Sequence, residues 1–507
     1  MMASVSIDEL GTLLIVTILI MVGLRFFFSR MVTDREKKNI PPGPRTWPLI
    51  GSLPFLIRSK LPPLDLFAAL ADDYGDIFRL RIMTTEVVIL NSFNTIKEAF
   101  SHPNFQGRPR IVPIEDQIGR RNIGLAGSSG PVWREHKQFI LSAFRHFTTG
   151  PKSIDDIIHA EAVTLISEFS KLSKPFNPHK VLNNAVSNVI AVLLFGKAYD
   201  YGDSDFNQLQ DIINTNLRLA ASGGVFIFIP FLAKVPFSPA NKIKQGIKRF
   251  TDFTKMIVDK HLKDFDPDHP RDIIDMYLQR IQEDRKRGIT SSFDETNLHV
   301  LCGDLFGAST ETTNASLKWS ILYMMMYPDV QKRVQEELDR VVGPDRLPEL
   351  ADRASLPFTV ATLHEIQRMG QVSPFGIAHA CTADSKLVGY DISEGTLVVS
   401  NLWRLAHDST IWSDPDTFRP ERFLNERGDC VKPDALIPFS IGKRVCIGEA
   451  LARKELFLFF STLLHRFKFS IPADSRPPSL HGRLGLVYDT EDYMTCASSR
   501  LNKSVEK

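Results

Sequence analysis

The sequence predicts a mainly α protein with a minor β portion, arranged as a single large domain behind an N-terminal transmembrane helix. Helical spacing of apolar residues dominates residues 131–347, whereas alternating spacing is confined to a few short runs. Residues 10–28 form an apolar stretch long enough to cross a bilayer as a helix. Because no Gly/Ser-rich linker divides the residues that follow, we expect one domain.

The length, charge and cysteines of the chain exclude several classes of protein. Its 507 residues exceed the common domain length of about 100–150 residues, although some enzymes fold at this length as one unit. Lysine plus arginine (61) nearly equals aspartate plus glutamate (59), so nothing predicts a nucleic-acid partner. The five cysteines are scattered and form no CxxC pair, which argues against a disulfide scaffold and against a cysteine-only metal site.

Residues 1–30 are predicted to form a transmembrane signal anchor. Their apolar core is longer than that of a cleaved signal peptide and lacks an A-x-A-like exit. Acidic residues precede the span and basic residues follow it, so the positive-inside rule places the rest of the chain in the cytosol. A buried N-terminal core helix is the alternative.

Residues 31–50 are predicted to be a basic, proline-rich hinge between this anchor and the domain at 51–507. Pro41, Pro42 and Pro44 fix the backbone φ angle and prevent a helix from continuing, which makes the segment a stiff spacer.

Prolines and glycines mark the ends of the predicted elements. Alternating residues over 77–90 predict a strand pair. The strongest helix, 297–327, is stopped by Pro328 and would be about 45 Å long, enough to cross the domain. Further elements are predicted as helices at 328–342, 357–369 and 447–467 and as strands at 386–388 and 396–399.

A lone cysteine stands in a glycine-rich loop directly before the last helix. A helix start favours negative charge, so Cys446 is expected to ionise readily, and one thiolate without other ligands suits a haem iron. Gly442 and Gly448 would let the backbone approach a flat macrocycle. Arg444 could meet a haem propionate, and Phe439 could cover the sulfur. A buried structural cysteine in an ordinary loop is the alternative.

The complete pattern F-x-x-G-x-R-x-C-x-G at 439–448 resembles the cytochrome P-450 family of haem-thiolate monooxygenases. The resemblance extends over residues 10–500 and is closest to the microsomal, drug- and steroid-oxidising branch, family two. It implies the cytochrome P-450 fold, haem b (iron protoporphyrin) with Cys446 as the axial ligand, and residence in the endoplasmic reticulum membrane.

Small and hydroxyl residues interrupt the long helix at 307–313. Ser and Thr hydroxyls bond back to the helix backbone and bend it, which opens room on one face. The segment resembles the family's oxygen-binding motif, and the resemblance assigns Thr312 to oxygen activation and Glu311 to a proton relay. Ser309 replaces the usual glycine of that motif. On its own, such a segment also fits a close helix crossing.

The resemblance also implies a structural triad of Glu365, Arg368 and Arg422. The first two lie three apart on a predicted helix and share a face, and the third belongs to a segment like the family's P-E-R-F. Without the resemblance, the E-x-x-R spacing is equally typical of a solvated surface pair.

Four more residues are assigned to the haem propionates. Trp133 and Lys137 are four apart and would present an indole N–H and a cation on one helical face, although the family normally has arginine at the second position. The resemblance adds Arg108 and His379. Ala378 precedes the histidine where the family has proline.

An apolar segment at 223–236 fits either a buried core piece or a loop that dips into the bilayer interface near Lys234, Lys242 and Lys244. The resemblance implies a pocket for a lipophilic guest. Its walls would come from residues 111–125, Phe306, Ala308, 372–377 (including Phe375) and 486–488.

Electrons must come from another protein, because the chain has no G-x-G-x-x-G fingerprint or flavin domain. The resemblance implies an NADPH–cytochrome reductase, with cytochrome b5 as an optional second donor. Arg134, His136 and Lys443 could form the basic counterpart of its acidic docking surface, or simply a solvated charged face.

These observations predict a monooxygenase that inserts one oxygen atom of O₂ into a lipophilic small molecule such as a steroid, fatty acid, terpenoid or xenobiotic. One alternative keeps the haem but isomerises or dehydrates a peroxide without a reductase. Another is a haem-free, membrane-anchored binding protein on the same scaffold.

Overall fold

The computed structural model describes residues 39–149, 153–235 and 237–500. The predicted anchor at 1–30 and the first part of the predicted hinge lie outside these residues. Within the described ranges, no helix combines the length and the apolar character that crossing a bilayer requires.

Most of the domain is helical, as the sequence predicts. The helices are α1 (Leu53–Arg58), α2 (Pro63–Tyr74), α3 (Phe93–Ser101), α4 (Val112–Ile118), α5 (Gly130–Thr149), α6 (Ile154–Ser170), α7 (His179–Phe195), α8 (Ser204–Gly223), α9 (Val225–Phe228), α10 (Pro239–Lys263), α11 (Ile273–Lys286), α12 (Glu295–Met326), α13 (Pro328–Val341), α14 (Pro357–Met369), α15 (Leu402–Ala406) and α16 (Glu449–Arg466). Short 3₁₀ helices occur at Pro103–Phe105, Pro230–Lys234, Leu350–Ser355 and Pro420–Phe423.

The minor β portion consists of one four-stranded sheet and three strand pairs. The strands are β1 (Ile77–Ile82), β2 (Thr85–Leu90), β3 (His379–Ala380), β4 (Ser385–Leu387), β5 (Tyr390–Ile392), β6 (Leu397–Ser400), β7 (Phe467–Ser470), β8 (Gly482–Leu484), β9 (Tyr488–Thr490) and β10 (Cys496–Ser499). The sheet has the order β1-β2-β6-β3, in which β2 and β6 are parallel and the other neighbours are antiparallel. This confirms the predicted strand pair and both later strands to within one residue.

The long helix α12 is the central element of the domain. It begins two residues earlier than predicted because the carboxylate of Asp294 caps it by accepting from the N–H of Asn297 at 2.8 Å. Helices α7, α10, α14 and α16 all pack against it, so most of its side chains are buried on several faces. The turn at 308–312 lies midway along this helix.

The described part of the predicted hinge lies against the sheet. The N–H of Arg79 in β1 donates to the carbonyl of Pro42 at 2.8 Å, and its Nε donates to the carbonyl of Pro41 at 3.1 Å. Gly43 approaches the Arg79 carbonyl so closely that a Cβ would lie 2.1 Å from its oxygen. The prolines thus lead the chain onto the edge strand of the sheet.

Helix α16, which follows the Cys446 loop, carries an acid in the middle of the core. Glu455 is 1% exposed, and neither of its carboxyl oxygens makes a hydrogen bond of normal geometry to a described residue. Burial raises the pKa of Glu455 to about 8, and the nearby hydroxyl of Thr313 in α12 only partly opposes this. The carboxyl is therefore mostly protonated at neutral pH.

We expect Glu455 to make stability fall as the pH rises. Its folded-state pKa of about 8 lies above the ordinary value of 4.5, so its contribution is fully present below about pH 4.5 and is lost as the pH rises through 8. Between these values the wild type should lose about 1.4 kcal/mol per pH unit relative to Glu455→Gln.

Unfolding temperatures at about pH 5.5 and about pH 7 measure this difference, because both values lie about one pH unit inside the interval between the two pKa values, where the slope is nearly constant. The exposed Glu336, replaced by glutamine, is the control and should follow the wild type. Parallel pH profiles for the wild type and Glu455→Gln would contradict the prediction.

Candidate functional site

The Cys446 loop folds back on itself before α16. The N–H of Cys446 donates to the carbonyl of Phe439 at 3.0 Å, and Ser440 and Gly442 have φ values of +63° and +81°. A Cβ on Gly442 would lie 2.3 Å from the carbonyl oxygen of Phe100, so both the left-handed backbone and the close packing require glycine. At Gly448 the nearest atom to such a Cβ is the Cys446 sulfur, at 3.9 Å.

The expected easy ionisation of Cys446 is not what the structure gives. Burial raises the pKa of the thiol, the N–H of Gly448 lowers it, and the carboxylate of Glu449 raises it further. The side chain is nevertheless exposed and so remains accessible to a ligand.

Two arginines lie together at this loop, the buried Arg444 within it and the half-buried Arg108 beside it. Arg444 donates to the carbonyls of Gln106 (3.0 and 2.8 Å) and Ser128 (2.6 Å), and its guanidinium lies 3.9 Å from the centre of the Trp133 ring. Arg108 donates from Nη1 to two carbonyls of the turn at 377–378, both at 2.9 Å, while its buried Nε has no acceptor among the described residues.

Lys137 joins the arginines from α5. Its Nζ donates to the carbonyl of Lys443 at 2.5 Å and lies 5.2 Å from the Trp133 ring centre. Burial lowers the pKa of Arg108 to about 10. The pKa of Arg444 is lowered to about 9, mainly by burial and also by the charge of Arg108. Burial and, to a smaller extent, the charge of Arg444 lower the pKa of Lys137.

We call Arg108, Lys137 and Arg444 the cation group. No ion pair joins any of the three to a carboxylate in the part of the chain that the structure describes. A cluster of partly desolvated, mutually repelling cations with an orphaned N–H fits an anionic ligand, and haem carries two carboxylates. The residues present therefore fit the group that the resemblance implies.

His379 lies beside the cation group but is neutral. Its Nδ1 contacts the carbonyl of Phe105 at 2.6 Å, and its ring stacks on Phe100 at 3.9 Å. Burial, Arg108 and Arg444 together lower the pKa of His379 to about 3. With its proton on Nδ1, the ring offers an acceptor at Nε2, so the predicted propionate contact would require the protonated form.

The oxygen-motif segment of α12 shows the backbone bonding that the sequence predicts. The hydroxyl of Thr312 donates to the carbonyl of Ala308 at 2.8 Å, and that of Ser309 donates to the carbonyl of Phe306 at 3.1 Å. Thr312 and Glu311 are half-buried, and Ala308 is exposed. This turn therefore has an accessible face.

The predicted triad is assembled. Arg368 donates to both oxygens of Glu365 (2.8 and 2.9 Å), and Arg422 donates to Oε1 at 2.9 Å. The sequence did not indicate two further partners: the N–H of Arg419 also donates to Glu365 at 2.8 Å, and Arg368 donates to the carbonyl of Ala406 at 2.7 Å. The side chains of the three predicted members are at most 5% exposed.

Two residues assigned by sequence do not occupy the predicted positions. Phe306 is fully buried against Phe195 of α7, with ring centres 6.0 Å apart, because it lies about 200° around the helix from Ala308. It is not a pocket wall. His136 is also fully buried, bonded to the Tyr277 hydroxyl at 3.0 Å, so it cannot belong to a docking surface. Arg134 and Lys443 are exposed as predicted.

Sequence reasoning missed Asp304, which ties a predicted pocket wall to α12. Its carboxylate accepts from the N–H groups of Leu125 (2.7 Å) and Ala126 (2.9 Å), and burial raises its pKa to about 6. The neighbouring Asn297 accepts from the N–H of Gly124 at 3.0 Å. The signal was present as an acid inside an apolar helical run, four residues before Ala308.

The segment at 223–236 is partly buried and partly exposed. Phe226 and Ala233 are buried in a small cluster, whereas Phe231 is 65% exposed. Phe237, directly after the segment, is fully exposed. Lys244 pairs with Asp116 at 3.1 Å, which holds α10 against the loop at 111–125.

A mainly helical domain with a lone cysteine loop, unpaired buried cations beside it and a hydroxyl-bearing turn in its central helix defines the class of haem-thiolate oxygenases. The Cytochrome P450 family model matches residues 41–497, so the chain belongs to that family and is a cytochrome P450 monooxygenase.

Several members of family two are similar to it over most of their length. Cytochrome P450 2U1 of Homo sapiens is 39% identical over 492 residues, which cover 92% of this chain and 90% of that protein. Cytochrome P450 2J2 of Homo sapiens is 39% identical over 468 residues (91% and 92%), and Cytochrome P450 2D4 of Rattus norvegicus is 37% identical over 502 residues (97% and 99%).

Breaking the triad should destabilise the fold strongly. Arg422→Met leaves the buried Glu365 carboxylate short of one partner, and we expect a loss of about 3 kcal/mol in the free energy of unfolding. Lys332→Met, which removes an exposed ion pair with Glu336 at 3.6 Å, should cost less than about 1 kcal/mol. Urea unfolding measures both variants, and equal losses would show that the triad is not a stabilising unit.

Proposed function

We propose that this monooxygenase is membrane-bound, holds haem b with Cys446 as the axial thiolate ligand, and oxygenates a lipophilic small molecule. Residues 1–30 are its anchor, 31–50 its hinge and 51–507 its catalytic domain. The observation that carries the proposal is the cation group, whose wholly or partly buried charges lie at the Cys446 loop without a carboxylate partner in the described ranges.

The proposed haem contacts follow from this arrangement. Arg108, Lys137 and Arg444 would bind the propionates, with Trp133 holding two of these cations against its ring. Phe439, Gly442 and Gly448 shape the loop around the sulfur. A bound iron would favour the thiolate form by its positive charge, against the burial that raises the pKa of the thiol.

Three of the other four cysteines are poorer candidates for the ligand because they are buried or bonded. Cys302 is fully buried within α12, and burial raises its pKa strongly. Cys381 donates to the carbonyl of Ala383 at 3.0 Å, and Cys430 contacts Nδ1 of His364 at 3.6 Å. Cys446 combines an exposed sulfur with the adjoining cation group.

Bound haem would supply the activation of O₂. The Thr312 hydroxyl, now donating to the Ala308 carbonyl, is a proton source that can turn towards the accessible face of α12. Glu311, half-buried and next to it in the chain, can return a proton from the solvent side. The presence of both Thr312 and Glu311 favours a monooxygenase over a peroxide isomerase or dehydratase.

The substrate is proposed to be lipophilic, for example a steroid, fatty acid, terpenoid or xenobiotic. The proposed walls at 111–125, 372–377 and 486–488, with Ala308, are mostly apolar. The exposed Phe231 and Phe237 support contact of this region with a membrane, from which such a substrate can enter. The membrane proposed is that of the endoplasmic reticulum.

Electrons are proposed to come from NADPH through a membrane-bound NADPH–cytochrome reductase, with cytochrome b5 as an optional second donor. The exposed Arg134 and Lys443 lie near the Cys446 loop and match an acidic partner in charge.

The reduced, carbon-monoxide-bound spectrum tests the proposed ligand. The wild type should show the strongly red-shifted Soret band of a thiolate-bound haem, and Cys446→Ser should lose it because a hydroxyl does not replace the thiolate. Cys430→Ser, the matched control, should keep the band. Loss of the band in the Cys430 variant alone, or its absence from folded wild type, would overturn the assignment of Cys446.

Electron use tests the proposed reaction. With reductase, NADPH and dodecanoic acid as a lipophilic probe, Thr312→Ala should raise the ratio of hydrogen peroxide released to NADPH consumed severalfold, because a proton source is removed. Ser316→Ala removes an equivalent hydroxyl one turn later, bonded to the Thr312 carbonyl at 2.8 Å, and should not raise it. Haem-loaded wild type that consumes no NADPH would instead favour the isomerase or dehydratase, with which Ser309 is compatible.

A further inference from the structure

A lysine lies in the core at the far end of the central helix. Lys318 of α12 forms an ion pair with Asp489 of β9, and the two side chains are 6% and 24% exposed. The lysine is six residues beyond Thr312, about 9 Å along the helix axis. A buried ammonium group requires such a partner, because desolvation would otherwise drive it to lose its proton or to leave the core.

Lys318 and its neighbour Trp319 in α12 make several further contacts with residues 482–493. The indole N–H of Trp319 donates to the carbonyl of Tyr488 at 3.2 Å, and the two rings stack at 5.6 Å. The Tyr493 hydroxyl donates to the Lys318 carbonyl at 2.7 Å. The backbone is packed closely as well, since a Cβ on Gly482 would lie 2.8 Å from the Trp319 ring.

These contacts hold the base of a short hairpin formed by β8 and β9. Three residues, 485–487, connect the strands, with the Gly485 N–H donating to the Val487 carbonyl at 2.9 Å. Leu486 at the tip is 51% exposed. The Tyr488 N–H donates to the Val372 carbonyl at 2.8 Å, so the hairpin also joins the proposed pocket wall at 372–377.

Because each strand is only three residues long, the position of the tip depends on its base. The antiparallel register places Asp489 opposite Arg483, one step from the Leu484–Tyr488 pair that precedes the turn. An anchor at Asp489 therefore acts within about 7–10 Å of Leu486, too short a distance for the strands to bend freely.

We infer that Lys318 and Asp489 are positioning residues that fix the hairpin tip and the attached wall, and so set which ligand shapes the pocket accepts. The inference rests on the proposed function for the pocket, but the ion pair itself does not. Neither residue touches the substrate in this account, since both act through Tyr488 and the turn at 485–487.

An apolar pair at the same place would also hold the hairpin, but it would specify the position less strictly. A charge pair is satisfied over a narrow range of distance and direction, whereas apolar contacts tolerate sliding. The surrounding bonds to the Tyr488 carbonyl and from the Tyr493 hydroxyl have fixed directions as well. Together they select one register of the hairpin against α12.

Asp489→Asn in the full-length, haem-loaded protein tests the inference, because it removes one charge while keeping the shape of the side chain. Hydrogen exchange of the peptide covering residues 482–490 should become faster by about tenfold or more. The ratio of spectral dissociation constants for imidazole and for the bulkier 4-phenylimidazole should change by about tenfold. The carbon-monoxide spectrum should stay as in the wild type.

Glu491→Gln is the matched control in the same hairpin. It removes an ion pair with Arg483 that spans 3.7 Å and is 66% and 51% exposed, so exchange and selectivity should not change. If Asp489→Asn does not fold, Lys318→Met removes the buried charge and leaves a carboxylate that can reach solvent; the same two measurements then apply.

Unchanged exchange and an unchanged ratio of dissociation constants in folded, haem-loaded protein would overturn this inference alone. Faster exchange with an unchanged ratio of dissociation constants would overturn the claim that the ion pair between Lys318 and Asp489 sets which ligand shapes the pocket accepts. A folded wild type without the red-shifted band would overturn the proposed function and the ligand part of this inference, while exchange would still decide whether the ion pair fixes the hairpin.

Discussion

The buried positive charge around the Cys446 loop is the constraint on which the site depends. Arg108, Lys137 and Arg444 come from three distant parts of the chain and are held by backbone carbonyls, which cannot neutralise them. Burying like charges together is unfavourable until an anion is added. Ligand binding and folding are therefore linked: whatever supplies the negative charge also stabilises the junction of α5, the Cys446 loop and the turn at 377–378.

Two other groups of buried charges are paired within the protein. Glu365 receives bonds from Arg368, Arg422 and a backbone N–H, and Lys318 has Asp489. This contrast separates structural from functional charge. The paired charges fix the positions of the elements that carry them, whereas the cations around the Cys446 loop can still take an anionic ligand.

The sequence predicts some of this architecture well and some of it poorly, for identifiable reasons. Helix ends are local properties, so Pro328, Gly343 and Gly370 predict them closely. The loop pattern likewise predicts that Cys446 precedes the last helix. The partners of a side chain are not local. Asp304 and Lys318 bond to groups 179 and 171 residues away, and the burial of Phe306 and His136 depends on which helix covers each face. Periodicity indicates a face but does not identify its neighbour.

The parallel pairing of β2 with β6 has a consequence for how the protein is made. Val87 pairs with Leu397, 310 residues later, so at about 5–20 residues per second the ribosome needs roughly 15–60 s to supply the second strand after the first. During that interval the apolar run from Val87 to Leu90 has an unpaired edge that is open to solvent. Nascent chains of this protein should then be prone to aggregation and should depend on a chaperone that covers the first sheet strands until the C-terminal third emerges.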